Sequence, residues 1–230
     1  MTNLQKRILT SIIILPLSFF MIIKGGYYLL FFLLAVFFIA NYELFSEFNK
    51  KAIILFLDLV LILSLYSIYY LATQTKDASF YILLWVILLC ICSDVGGYVF
   101  GKIFKWKKLT KISPKKTLSG VFGSFAFSLL SIFLAKIFLP LIQNYIPTEK
   151  LYQLNGDLLN FFDPKFFFLA LILSLVAQGG DLIISYFKRL EKIKDTGKIL
   201  PGHGGIFDRI DGMMFVVILT FIFHNLKLIP

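Results

Sequence analysis

Charge is scarce in this chain. Aspartate, glutamate, lysine and arginine make up 16% of its 230 residues, a deficit that excludes the ordinary water-soluble globule with a charged surface. Cysteine and histidine are nearly absent, with two of each. Cys90 and Cys92 stand two apart in one apolar segment, where a helix turns them to different faces, so neither a disulfide nor a zinc pair is expected. His203 and His224 fall in a loop and in the last apolar segment near the opposite face, which excludes a histidine zinc site on the same grounds. No GxxxxGK[ST] occurs, so there is no Walker loop. Internal repeats and any separate soluble domain are missing as well.

What the chain has in abundance is hydrocarbon. Hydrophobic residues reach 59%, and several runs of about 20 residues are apolar on every side, the length that crosses the ~30 Å core of a bilayer as a helix. Seven such segments can be counted: Ile8 to Ile23, Tyr27 to Leu44, Ala52 to Leu71, Phe80 to Phe100, Gly120 to Leu141, Phe166 to Phe187 and Met213 to Ile229. The expected fold is an all-α polytopic membrane bundle forming one domain, residues 1–230. Residues 1–93 would serve as lipid-facing scaffold, 94–212 as the catalytic spans and loops, and 213–230 as the last span. The opening MTNLQKRILTSIIILPLSFFMII has a basic head and an apolar run without a small-x-small cleavage pattern, and reads as an uncleaved first span.

The formal net charge of +10 would suit nucleic acid, but in a membrane protein lysines gather in cytoplasmic loops, and no nucleic-acid partner is expected. Seventeen lysines and arginines lie in the N-terminal head and the second, fourth and sixth connections, against five on the other side. The N-terminus should therefore be cytoplasmic and the C-terminus outside.

Four constellations stand out against this background. The fourth segment ends CSDVGGYVFG, with Asp94, Gly97, Tyr98 and Gly101 spaced along one helical face. A carboxylate at that depth faces a polar cavity or makes a hydrogen bond between helices. The loop KWKKLTKISPKKTLSG has six lysines and no acid. Its SPKKTLSG end offers Ser113, Lys116 and Thr117 just before a helix start, which suits a polyphosphate, although plain topology explains the lysines equally well. In the sixth segment Asp181, Ser185, Lys188 and Arg189 fall at i, i+4, i+7 and i+8, a carboxylate, a hydroxyl and two cations in order along one face. Such an order suits a hard cation such as Mg²⁺ followed by phosphate oxygens. Finally HGGIFDRID places Asp208 and Asp211 at i, i+3 at the mouth of the last helix, where two further carboxylates complete a candidate metal site. Gly204 and Gly205 permit close backbone approach to a ligand, and His203 is a phosphate donor or, more simply, a loop hydrogen bonder. Glu43, Glu47 and Asp58 are read as interhelical structure.

Residues 185 to 211 resemble the hallmark of the phosphatidate cytidylyltransferases: S-x-φ-K-R, four residues, K-D-x-small, two residues, then apolar, Pro or Gly, one residue and H-G-G-φ-x-D-R-φ-D, where φ is apolar. Ser185, Phe187, Lys188, Arg189, Lys194, Asp195, Gly197, Leu200, Pro201, His203, Gly204, Gly205, Ile206, Asp208, Arg209, Ile210 and Asp211 all comply. Upstream, Asp94, Tyr98 and Gly101 and the Ser113 to Thr117 loop are similar too, so the resemblance covers roughly residues 94–212.

The resemblance implies transfer of the cytidylyl group of CTP to phosphatidate, giving CDP-diacylglycerol and pyrophosphate, in a bacterial cytoplasmic (inner) membrane with the site facing the cytoplasm. It implies Mg²⁺ on Asp181 and Asp208, with Asp211 beside them, K⁺ as a candidate second cation, and a homodimer. Lys188, Arg189, Lys194 and Lys116 would neutralise phosphate, Ser113 and Thr117 would donate hydrogen bonds, and Asp94, Tyr98, Ser185, Asp195, His203, Gly204, Gly205 and Arg209 would line the substrates. Three alternatives are a CTP-dependent polyprenol kinase, an enzyme loading CDP onto an ether lipid, and a transporter with intramembrane carboxylates.

Overall fold

The computed structural model describes residues 3–74, 78–110, 113, 116–142, 163–197, 199 and 204–229, without the side chains of residues 3–9, 11 and 142. Among these residues the chain forms seven helices: α1 (Asn3–Lys24), α2 (Gly26–Glu47), α3 (Lys51–Thr73), α4 (Ser79–Phe104), α5 (Leu118–Ile142), α6 (Pro164–Leu190) and α7 (Phe207–Asn225). Each apolar segment predicted from the sequence lies on one of them. Helix is the form in which a backbone surrounded by hydrocarbon bonds all its own polar groups.

Five helices, α2 to α6, are long and apolar enough to cross a membrane. The apolar part of α1, Ile12–Lys24, is shorter. Helix α7 carries Asp208, Arg209 and Asp211 among its first five residues, and residues 213–225 beyond them rise about 20 Å at 1.5 Å per residue. The outer surface is a lipid-like mosaic, with Tyr27, Phe31, Phe38, Phe45, Leu55 and Phe168 all more than three-fifths exposed. In a bilayer those side chains meet acyl chains, and the inside is distinguished by close fit and small polar groups instead.

Helix α4 is the axis of the bundle. It touches α3, α5, α6 and α7, and residues 79 to 86 are buried all round its circumference. Its most extensive partner is α5, and small residues explain the intimacy. A Cβ added at Gly97 would lie 2.7 Å from Ser124 Oγ, and one at Gly120 would lie 2.9 Å from the Gly97 carbonyl oxygen. Gly96 and Gly123 meet backbone to backbone more tightly still. Across this seam Ser124 Oγ donates to Ser93 O (2.8 Å) and Trp85 Nε1 donates to Ser131 Oγ (3.2 Å). Ser93 and Ser174 share a 2.9 Å hydroxyl contact that ties α4 to α6.

One end of the bundle gathers the charged connections. Glu191, just past α6, accepts from the backbone N–H of Asn49 and Lys50 ahead of α3, and Lys116, ahead of α5, reaches Asp181 of α6. The second, fourth and sixth connections therefore share one face, as the lysine distribution predicts. Between α4 and α5 the chain returns as a small hairpin, with Leu109 N donating to Lys116 O (2.8 Å) and Leu118 N to Lys107 O (3.0 Å) around a bridge of Lys108 and Thr117.

The glycine seam makes a prediction. Gly123→Ala, which drives a methyl into the Gly96 backbone, should destabilise the protein by about 1–3 kcal/mol. Gly179→Ala on α6, where no atom lies within 4 Å of the new Cβ, should be neutral or slightly stabilising. Thermal unfolding in detergent measures both, and equal midpoints would contradict the packing assigned to the seam.

Candidate active site

The chemistry collects where α6 and α7 approach each other. Gly212 of α7 lies over the Ala177 carbonyl of α6, where a Cβ would sit 2.8 Å away, and Gly180 of α6 accommodates the Phe215 ring. This contact sets Asp181 and Asp211, each adjacent to one of these glycines, on facing turns. Asp211 interacts electrostatically with Asp181, Lys188 and Asp208.

Lys188 is the pivot. It is buried, and its Nζ donates to Asp208 Oδ1 at 2.8 Å while standing 3.9 Å from Asp211 Oδ2. One turn earlier on α6, Ser185 Oγ donates to Asp181 Oδ1 (3.2 Å). The other oxygen of Asp181 meets Lys116 Nζ at 2.5 Å, and the same ammonium donates to Gln178 O (3.3 Å). Asp94 of α4 closes the group, interacting with Asp181, Lys116 and Arg209. Four carboxylates thus share one polar patch with two lysines and an arginine, drawn from helices α4, α6 and α7 and the loop before α5.

Asp208 is held more firmly than a ligand waiting for substrate. Its Oδ2 accepts from Thr196 N (2.8 Å) and Gly205 N (3.1 Å), and its Oδ1 accepts from Lys188. The positive φ of Gly204, 87°, turns the loop tightly enough for this, and a Cβ there would lie 2.9 Å from Asp208 Oδ2. The close approach at Gly204 is to Asp208 and that at Gly205 is to Glu43 of α2, while the N–H of Gly205 points at Asp208.

The loop before α5 is organised in the same economical way. Thr117 caps that helix, its Oγ1 accepting from Gly120 N (3.1 Å) and sharing a 2.9 Å contact with Ser119 Oγ. Ser113 O accepts from Lys116 N (3.1 Å), and Ser113 N donates to Thr110 Oγ1 (3.2 Å). Gly101 lies against Thr117 rather than beside Asp94.

Other sequence-predicted residues stand further out. Arg189 is exposed and donates Nη1 to Ile193 O (3.2 Å) at the end of α6. Lys194, Asp195 and Arg209 are exposed along the rim. Tyr98 is exposed, with Lys102 Nζ 5.8 Å from its ring centroid, so the helical face drawn from Asp94 through Tyr98 divides, with Gly97 and Gly101 turned to α5. His203 lies outside the described residues. Sequence reasoning left Glu43 as structure and passed over Glu191; Glu43 accepts from the Ile206 and Phe207 amides inside the motif, and Glu191, itself within the motif, accepts from the Asn49 and Lys50 amides ahead of α3. The available signal for Glu43 was its place, an acid in an apolar helix.

The donors in this patch are carboxylate oxygens, the chemistry preferred by a hard divalent ion. Ammonium groups already sit against them, at positions that suit positive charge. No group of three or more His, Cys, Asp or Glu poised to hold a metal occurs among the described residues.

A family model described as the cytidylyltransferase family matches residues 47–227. The chain belongs to that family. Among its relatives, the phosphatidate cytidylyltransferase of Rickettsia conorii is 39% identical over 144 residues, covering 60% of this chain and 57% of that protein. Proteins of the same name from Helicobacter pylori and Staphylococcus aureus are 38% and 37% identical over 140 and 148 residues, covering 61% and 63% of this chain and 46% and 49% of theirs. The matched stretch of this cytidylyltransferase family member spans about half the length of the curated relatives it matches.

Burial separates the Lys188–Asp208 pair of this family member from its Lys116–Asp181 pair. Lys188 and Asp208 have side chains 10% and 6% exposed, against 26% and 35% for Lys116 and Asp181. Lys188→Met should cost about 3–5 kcal/mol, because Asp208 and Asp211 lose their buried counter-charge, and adding Asp208→Asn should restore part of it. Lys116→Met should cost no more than about 1 kcal/mol. Unfolding midpoints in detergent test this, and a Lys188→Met variant as stable as the parent would contradict it.

Proposed function

We propose that the protein transfers the cytidylyl group of CTP to phosphatidate, producing CDP-diacylglycerol and pyrophosphate. The observation that carries this reading is the interleaving of carboxylates and ammonium groups at Lys116, Asp181, Lys188, Asp208 and Asp211 at the lysine-rich end of the bundle. The names of the relatives support the choice of substrates.

Phosphatidate brings its own nucleophile. Its phosphomonoester has a second pKa of about 6 and is largely dianionic near neutrality, so no protein nucleophile or strong base is called for. A phosphate oxygen attacks the α-phosphorus of CTP in line. A new P–O bond forms, the α–β anhydride bond breaks, and pyrophosphate departs with the electron pair. The obstacle is repulsion between two polyanions, and the protein's task is to position and neutralise them.

Lys116 and Lys188 perform that task by changing partners. In the substrate-free protein they neutralise Asp181, Asp208 and Asp211. As phosphate enters, the ammonium groups of Lys116 and Lys188 turn to its oxygens and release the carboxylates. Asp181, Asp208 and Asp211 would hold Mg²⁺. The ion would supply charge neutralisation on the phosphates, and K⁺ is a candidate second cation at this centre. Arg189, Lys194 and Arg209 line the approach, and Ser113, Thr117 and Ser185 offer hydroxyls beside it.

The same reading gives the protein its setting. The N-terminus and the charged end face the cytoplasm of a bacterium, α1 and α7 cross the inner membrane along with the five long helices, and two copies assemble as a homodimer. The chain acts as one domain, with residues 94–212 catalytic and 1–93 and 213–230 as scaffold.

Labelled CTP separates this reaction from its neighbours. With purified protein, phosphatidate and Mg²⁺, label on the α-phosphate should appear in lipid, while label on the γ-phosphate should leave in pyrophosphate. Asp181→Asn should lower turnover by about 10²-fold or more while still inserting in the membrane. Lipid carrying the γ-label would identify a kinase instead, and near-normal turnover in Asp181→Asn would sink the metal assignment.

A further inference from the structure

Glu43 lies on α2, outside the stretch matched to the family, and is 1% exposed. A carboxylate buried in an apolar helix is costly unless its oxygens are satisfied. Both are. One oxygen accepts from Ile206 N (2.9 Å) and the other from Phe207 N (3.0 Å), the amides at the start of α7. An N-terminal helix end of this kind ordinarily attracts an anion, and here the anion is a side chain from a helix more than 160 residues away.

The surroundings are shaped to this carboxylate. A Cβ at Gly197 would lie 2.8 Å from Glu43 Oε1, and one at Gly205 would collide with the other oxygen. These glycines belong to the two loop segments, residues 195–197 and 204–207, whose amides converge on Asp208. Thr196 N and Gly205 N bond Asp208, while Ile206 N and Phe207 N bond Glu43. Glu43 and Asp208 thus hold neighbouring amides of the same loop segments, and Asp208 carries Lys188 on its other oxygen.

We propose that Glu43 is a positioning residue for the transfer reaction: its carboxylate fixes the entry to α7, and through it the Asp208–Lys188 pair, while keeping the α7 N-terminus from acting as the phosphate site. This rests on the cytidylyl-transfer reading. Phosphate is thereby left to the lysines, where the carboxylates can receive the accompanying cation.

Glu43→Gln keeps the size but can accept from one of the two amides only, since its NH₂ is a donor. It should lower kcat by about 10- to 100-fold, as loss of a supporting partner does, with KM for CTP within about threefold. Glu43→Asp, one methylene short but still charged, should fall between Glu43→Gln and the parent. Glu47→Gln, one turn along α2, should leave kcat unchanged. In the same preparations, amide hydrogen exchange of residues 204–208 should be faster in Glu43→Gln than in the parent or Glu47→Gln. Unchanged kcat, a loss confined to KM, or unchanged exchange would each overturn the proposal. Should the parent itself fail to label phosphatidate, the cytidylyl-transfer reading falls and the exchange arm alone decides: faster exchange in Glu43→Gln upholds the hold of Glu43 on the loop, equal exchange overturns it.

Discussion

Everything at the charged end of this bundle turns on the contact of the buried Lys188 ammonium with Asp208 and Asp211. An unpaired charge at that depth would cost several kcal/mol, so neither the lysine nor the acids can sit there alone. The pair also cannot be loose. Asp208 is pinned by the amides of Thr196 and Gly205, and Lys188 projects from a helix locked to α7 by Gly180 and Gly212. A membrane protein with so little charge gives Lys116, Lys188, Asp181, Asp208 and Asp211 fixed counter-groups at this end of the bundle.

Packing delivers this geometry without help from ordinary hydrophobic segregation. Lipid surrounds the bundle with the same chemistry as its interior, so the helices are sorted by fit. The glycines of α4 and α5 bring two backbones into contact, the serines Ser93, Ser124 and Ser174 stitch the centre, and small residues recur where α6 meets α7. Asp94, Asp181 and Asp211 descend from three helices of this tightly registered set. The register among α4, α6 and α7 keeps the carboxylates close to one another yet within reach of Lys116 and Lys188.

Local periodicity made much of this legible in the sequence. All seven apolar segments form helices, because length and hydropathy decide that outcome within each segment. The i, i+4, i+7 order of Asp181, Ser185 and Lys188 and the i, i+3 order of Asp208 and Asp211 describe faces that the structure does turn toward one another. Arg189, the next step in the ladder, was less predictable, since at a helix end the last carbonyls compete for a guanidinium and Ile193 O receives it. Tyr98 parted from Asp94 because the neighbouring glycines claim α5. Glu43 could be read only as interhelical structure: its partners are backbone amides more than 160 residues away, and the sequence encodes no side chain for it to match. The glycines of the motif are ambiguous for a related reason, since a space made for a carboxylate and a space made for a ligand look alike in one dimension.

The central claim is that lysines and carboxylates neutralise each other until nucleotide and cation exchange places with them. Binding of metal-free CTP to the detergent-purified protein, measured by calorimetry, tests this most directly. If Asp181 holds Lys116 back from phosphate, Asp181→Asn should bind metal-free CTP about tenfold more tightly than the parent, a difference of about 1.4 kcal/mol. Affinity equal to or weaker than that of the parent would contradict the exchange.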